Sequence, residues 1–112
     1  MNANCSRRGV LAGAAAFAVA PTLAPLAAPA IHLVEIWQLK FVPETIKVRP
    51  GEIIRWVNMD IAPHTVTALD RSWDSKRMKK RKHFELTVTE TTELDYFCIF
   101  HPHMKGTIAF IE

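Results

Sequence analysis

Apolar residues recur at every second position in several short runs of this 112-residue chain. Phe84, Leu86 and Val88 alternate with polar residues, and residues 45–48 alternate in the same way. Turn sequences such as Arg-Pro-Gly at 49–51 separate the runs, because proline fixes φ and glycine tolerates positive φ. Period-two alternation is typical of strands with one buried face. About seven such runs without a convincing helical pattern predict an all-β sandwich.

The bulky apolar residues of these runs predict the core. In the first run, residues 31–39, Leu33, Trp37 and Leu39 share one side of the strand, and Trp37 is expected to face inward. Residues 70–82 are polar and strongly basic, and they predict a loop or a short helical turn. The predicted core consists of Trp37, Trp56, Phe84, Leu86, Val88, Leu94, Tyr96, Ile108 and Phe110.

The first 30 residues differ from the rest and are predicted to be an export signal. Arg7 and Arg8 precede an apolar stretch that is rich in alanine and proline, with a small-residue exit at 28–30. The paired arginines resemble a twin-arginine signal, which implies a periplasmic protein. A retained membrane anchor is the alternative, although the apolar stretch is short for a span and prolines follow it. We favour cleavage, which leaves a domain of residues 31–112 with no stable membrane association.

The charge of the predicted mature domain excludes one class of partner. Loss of Arg7 and Arg8 lowers the count of Lys and Arg from 14 to 12, against 11 acidic residues, so that the net charge falls from +3 to +1. No basic surface interleaved with aromatic residues is apparent either. We therefore expect no nucleic-acid binding.

The mature domain would keep a single thiol, and its neighbours suggest a metal. Cys98 is followed by His101 and then Met104, each three residues on, in the segment that joins the last two predicted strands. His64, preceded by Pro63, is the best candidate for a fourth ligand, because neighbouring strands can bring it to Cys98. A lone thiol in an oxidising compartment is a liability unless something occupies it. As a set these four residues are far more specific than a packed Met or a surface His taken alone.

The ligand types indicate the metal. One thiolate, two imidazoles and one thioether form the donor set of a type 1 copper electron-transfer site. Four protein ligands leave no open position for a substrate, which argues against an enzyme. The donor set alone leaves a second reading open, a copper storage or delivery protein without an electron-transfer role.

The chain resembles the cupredoxins, closest to the amicyanins and more distantly to the pseudoazurins and plastocyanins. The resemblance covers nearly all of residues 31–112 and includes the short Cys-x-x-His-x-x-Met spacing. It implies an eight-stranded Greek-key sandwich, one Cu(I)/Cu(II) ion on His64, Cys98, His101 and Met104, and a bracing role for Asn58. The segments in family order are 41–43, 46–48, 51–52, 56–58, 63–66 and 96–106.

Two residues depart from the amicyanin pattern. Phe100 stands where a proline is usual, and His103 stands where an apolar residue is usual. His103 is a possible competing ligand, but we expect it to face solvent.

The expected partners are donor and acceptor redox proteins, and the domain is expected to be a monomer. Docking is expected at the surface near His101, rimmed by apolar residues such as Phe100 and Pro102. Residues 76–82 contain six basic residues in seven. They predict either a solvated loop that self-repulsion keeps disordered or a docking patch for an acidic partner.

Overall fold

A computed structural model describes residues 28–111, and it confirms an all-β sandwich. The predicted export signal lies almost entirely outside the described residues. No helix occurs within the described range, and in particular none that is long and apolar enough to cross a membrane. The eight strands are β1 (Ile31–Ile36), β2 (Phe41–Val42), β3 (Thr45–Val48), β4 (Ile53–Asn58), β5 (Thr67–Ala68), β6 (His83–Thr87), β7 (Asp95–Cys98) and β8 (His101–Phe110).

The strands form two four-stranded mixed sheets. One sheet has the order β2-β1-β4-β6 and the other has the order β3-β8-β7-β5. The pairs β1–β4 and β3–β8 are parallel, and the remaining pairs are antiparallel. Strand β4 shows how alternation places residues. Ile54, Trp56 and Asn58 are buried, whereas Arg55, between the first two, forms an ion pair with Glu85 on the neighbouring strand β6.

The core contains much of the predicted set, but Trp37 was wrongly assigned to it. Trp37 is 50% exposed, because β1 buries the opposite side, with Val34 and Ile36 at 0% exposure. The strand ends at Ile36, and Trp37 already belongs to the turn that leads to β2. Of the other predicted core residues, Trp56, Val88, Tyr96 and Ile108 are buried, and Phe84, Leu86, Leu94 and Phe110 pack against the core while partly exposed.

Aromatic rings surround the ring of Tyr96 in the core of the sandwich. The ring of Trp56 meets that of Tyr96 edge-on at 5.3 Å, and Phe41 does so at 4.8 Å. Burial raises the pKa of Tyr96 to about 12, a rise that the nearby Trp56 indole N–H partly offsets. Within the described residues, neither the Tyr96 hydroxyl nor the Trp56 indole N–H forms a hydrogen bond of normal geometry.

The basic segment, residues 76–82, is an ordered loop and contains no helical turn. Met78 at its centre is buried in the core and pairs with His64 through two backbone hydrogen bonds of 2.8 and 3.1 Å. Arg81 N–H donates to the Asn58 carbonyl, and Asn58 N–H donates to the Lys82 carbonyl. All six cationic side chains of the segment are exposed. Of the loop and the short helical turn that were both predicted for residues 70–82, the loop is present. The expectation that self-repulsion keeps the basic segment disordered is wrong, because backbone hydrogen bonds anchor it beside His64.

Candidate metal centre

His64 is buried at the end of the loop that follows β4. Its side chain is 0% exposed, and its backbone is held by the pairing with Met78 in the basic segment. The ring can therefore adopt few orientations. Its Nδ1 atom faces Cys98, and its Nε2 atom faces Asp60.

Cys98 and His101 are presented by adjacent ends of β7 and β8. Cys98 is the last residue of β7 and is fully buried, and His101 is the first residue of β8 and is partly exposed. Only Ile99 and Phe100 separate the strands, and the ladder shifts register between Phe97 and Cys98. The ligand segment is thus tighter than the predicted loop, because β8 begins at His101 itself.

The three side chains converge on one point. Cys98 Sγ lies 3.6 Å from His64 Nδ1 and 3.7 Å from His101 Nδ1, and the three donor atoms all lie within 4.8 Å of one another. Two donors bound to one ion at about 2.0 and 2.3 Å in a trigonal plane would lie about 3.7 Å apart. The spacing therefore fits a shared first-row transition metal ion.

Met104 supplies the fourth predicted donor from β8. Its side chain is buried at 3% exposure and belongs to the same core cluster as Cys98. His103, one residue earlier, is exposed, as expected, and lies outside the cluster of converging donors. A buried thiolate, two imidazoles and a thioether form a soft donor set. Copper prefers such donors, whereas hard cations such as calcium prefer oxygen ligands.

Thr65 holds the turn that carries the thiol, a role that the sequence reasoning missed. Its backbone N–H donates to Cys98 Sγ at 3.4 Å, and its side-chain Oγ1 accepts the Ile99 N–H at 2.9 Å. Both contacts span more than 30 positions in sequence. The signal available beforehand was only that Thr65 follows a candidate ligand.

Asn58 braces the site through three segments. Its Nδ2 donates to the carbonyls of Ala62 and Met78, each at 3.0 Å, and its Oδ1 accepts the Asp60 N–H at 2.9 Å. One amide thus joins the end of β4, the His64 loop and the basic segment. The bracing that the resemblance implied for Asn58 is present, whereas the donor to the thiol is Thr65.

Asp60 is the other residue that the sequence reasoning did not identify. Its Oδ2 accepts from His64 Nε2 at 2.9 Å and from Leu39 N–H at 3.0 Å, and its Oδ1 accepts from Gln38 N–H at 2.7 Å. Burial opposes ionisation of this carboxyl, but the two amides and the His64 ring together outweigh it, so that the pKa of Asp60 lies below its ordinary value. A carboxylate four residues before a candidate ligand was the available signal.

The family of the chain follows from comparison with known proteins. Residues 31–110 match the plastocyanin/azurin family of copper-binding proteins. The chain belongs to that family. It is therefore a copper-binding cupredoxin, and its donor set of His64, Cys98, His101 and Met104 agrees with the copper that the family binds.

Individual relatives place this cupredoxin near the amicyanins. It is 29% identical over 101 residues to amicyanin of Paracoccus denitrificans, which covers 82% of this chain and 77% of the relative. It is 26% identical to amicyanin-alpha of Methylorubrum extorquens, over 88% of this chain and 96% of the relative. The Cu(I) form of an amicyanin variant superposes with a TM-score of 0.65 at 32% identity, over 77% and 86% of the two chains. The chain is thus of the blue copper electron-transfer type.

Proposed function

We propose that this domain carries single electrons between redox proteins through one copper ion held by His64, Cys98, His101 and Met104. The observation that supports this most directly is the convergence of His64 Nδ1, Cys98 Sγ and His101 Nδ1 within 4.8 Å. A copper ion in such a site supplies a one-electron couple between Cu(I) and Cu(II).

The protein around the donors is suited to carriage rather than to catalysis. His64 and Cys98 are fully buried, and hydrogen bonds from other segments hold the His64 ring and the Cys98 turn in place. Rigid donors limit the rearrangement that each electron requires. His101 is partly exposed and offers a short route to the surface. Four protein donors leave no position for a substrate, so we infer that the domain is not an enzyme.

An optical and EPR spectrum of the copper-loaded protein tests the ligand set. We expect an intense blue band that is lost in Cys98→Ala, because the band needs the thiolate. His103→Ala is the matched control, since this exposed histidine lies one residue before Met104 and is expected to leave the band intact. A blue band that survives in Cys98→Ala would contradict the ligand assignment. A colourless protein that readily releases copper would favour storage or delivery.

We further propose that the basic segment steers an acidic redox partner to the copper site. Its six cations are exposed, and its backbone pairs with His64 at Met78, so that the positive surface adjoins a ligand. No ion pair to another described residue neutralises these side chains. A concentrated patch of one sign accelerates encounter with the opposite sign at low ionic strength. Phe100 and Pro102, both exposed beside His101, would supply the apolar contact.

Reversing the charge of exposed lysines in the basic segment tests electrostatic steering without changing the buried core. We expect Lys79→Glu with Lys80→Glu to slow bimolecular electron transfer to an acidic acceptor and to flatten its dependence on salt, because screening then has less attraction to remove. Lys47→Glu, an exposed change on β3, is the control for net charge and is compared with Lys79→Glu alone, so that each variant reverses one charge. If the wild-type rate does not vary with ionic strength, this patch does not steer docking.

We also propose that residues 1–30 direct export of the domain to the periplasm. The match of residues 31–110 to the copper-binding family supports a domain that begins near Ile31. Mass spectrometry of the protein from the periplasm is expected to find Ile31 as the first residue. Arg7→Lys with Arg8→Lys is expected to retain the uncleaved chain in the cytoplasm. Recovery of the full chain in the membrane fraction would instead indicate an anchor.

A further inference from the structure

The turn between β1 and β2 has an unusual conformation for its residues. Trp37 and Lys40 exchange two backbone hydrogen bonds, of 2.9 and 3.1 Å, across a two-residue turn. The central residues, Gln38 and Leu39, have positive φ values of 55° and 62°. Such turns ordinarily contain Asn-Gly or another pair that tolerates this region, since other residues there are strained. Something outside the turn must therefore stabilise it.

The carboxylate of Asp60 meets that requirement. It accepts both central amides, Gln38 N–H at 2.7 Å and Leu39 N–H at 3.0 Å. Its position is fixed from a third direction, because the Asp60 N–H donates to the side chain of Asn58. The turn and the carboxylate therefore hold each other in place.

The same carboxylate determines how His64 presents its ring. Oδ2 lies 2.9 Å from His64 Nε2, and a carboxylate can only accept, so the neutral ring that a metal requires has its proton on Nε2. Nδ1 is then left with its lone pair directed toward Cys98, 3.6 Å away. Outer partners of this kind orient a ligand histidine and increase its basicity.

We propose that Asp60 is a positioning residue for the copper site, which links the strained β1–β2 turn to the ring of His64. The proposal rests on the proposed copper function for its effect on the metal, but its claim about the ring concerns the metal-free protein as well. Loss of the carboxylate removes a negative charge near the ion and frees the ring. Cu(I) affinity is then expected to fall by about 10–100-fold in Asp60→Ala.

Two variants of Asp60 separate charge from hydrogen bonding. Asp60→Asn keeps one acceptor oxygen and the side-chain shape but removes the charge, so we expect a higher reduction potential, because a nearby anion favours Cu(II) over Cu(I). Asp70→Asn is the control. Asp70 also accepts from a turn, at Ser72 N–H and Oγ, but contacts no candidate ligand. A potential that is equal in Asp60→Asn and the wild type would overturn the proposal, even if Asp60→Asn melted at a lower temperature.

The state of the ring is measured without copper. The ¹⁵N chemical shifts of His64 in the metal-free protein are expected to show the proton on Nε2, and a mixture of tautomers in Asp60→Ala. A wild-type proton on Nδ1, or no change in the variant, would overturn the proposal. This readout is independent of whether copper is the metal, so its failure is distinct from failure of the proposed function.

A redesigned turn separates the two tasks of Asp60. Gln38→Asn with Leu39→Gly installs a pair that adopts positive φ without strain. In that background Asp60→Ala is expected to cost less stability than in the wild type, while the loss of Cu(I) affinity and the change in tautomer persist. If the affinity loss disappears together with the stability loss, Asp60 acts on the fold alone, and the proposal fails.

Discussion

Gly106→Ala is expected to be severely destabilising, because Tyr96 occupies the space above the glycine. The two residues face each other across β7 and β8. A Cβ at position 106 would lie 2.6 Å from Tyr96 Cε2 and closer still to Cζ and Oη. Normal carbon contacts begin at about 3.5 Å, so the ring must move by about 1 Å.

The ring has little room for such a shift. Tyr96 is 1% exposed, and the rings of Phe41, Trp56 and Trp73 lie within 4.8–5.8 Å of its centroid. Overpacking a rigid core costs about 1–3 kcal/mol, and this case belongs at the upper end or beyond it. At about 4–8 °C per kcal/mol for a domain of this size, a cost of about 3 kcal/mol lowers Tm by roughly 12–24 °C.

Urea and thermal unfolding of the metal-free domain measure this cost. Gly51→Ala is the matched control, because nothing lies within 4 Å of a Cβ there and the penalty arises only from its φ of 94°. That conformation costs about 1–2 kcal/mol for alanine. The steric argument also requires that Tyr96→Leu reduce the cost of Gly106→Ala. A Gly106→Ala cost below that of Gly51→Ala, or an equal cost with and without the Tyr96 ring, would refute it.

Three further predictions concern buried and titrating groups. Tyr96 is the only tyrosine, so an absorbance titration of the folded domain is expected to show phenolate forming near pH 12. Stability is expected to fall as the pH rises from 10 toward 12, because the tyrosine of the unfolded chain ionises first. Ionisation of the folded domain near pH 10 would contradict this. The Arg49 N–H lowers the pKa of Glu52 below 4.5, so the stability that this carboxyl contributes is present above that pH and is lost as the pH falls through the lowered folded pKa. Acid unfolding curves of Glu52→Gln should therefore decline less steeply than those of the wild type, and identical slopes would exclude the contribution. Thr65→Val keeps the side-chain shape but leaves the partly buried Ile99 N–H without its acceptor, at a cost of about 1 kcal/mol in urea unfolding. A neutral change would show that this bond does not hold the ligand turn.

The alternation of apolar and polar residues was sufficient to predict the strands, but it did not show for every strand which face is buried. In β4 the bulky residues and the buried face coincide, and Trp56 lies where predicted. In β1 both faces carry apolar residues, so the pattern could not decide between Trp37 and the pair Val34 and Ile36. The parallel pairing with β4 resolved this, because it buries Val34 and Ile36 opposite Trp56 and Asn58.

The side chains around the donors were harder to predict than the donors themselves. The thiol, the imidazoles and the thioether are chemically distinctive, and three of them stand within seven consecutive positions, so their spacing already indicated copper. Asp60 and Thr65 are ordinary polar residues, and their importance arises only from what faces them. Asp60 acquires its role because the chain returns the Gln38–Leu39 turn to it across about 20 positions, a contact without any local signature.

By itself, the sequence determined the strand-rich class, the donor set and the family resemblance, because alternation and ligand chemistry are local properties of the chain. Only the tertiary structure decided how the donors meet and what holds them. It brought His64 Nδ1 to 3.6 Å from a thiol that lies 34 residues away, and it placed Asp60 behind the ring. It also showed that the basic segment is anchored at Met78 directly against the His64 backbone. Such contacts depend on which strands pair and in what register, and pairing is settled by the packing of the whole sandwich rather than by any short segment.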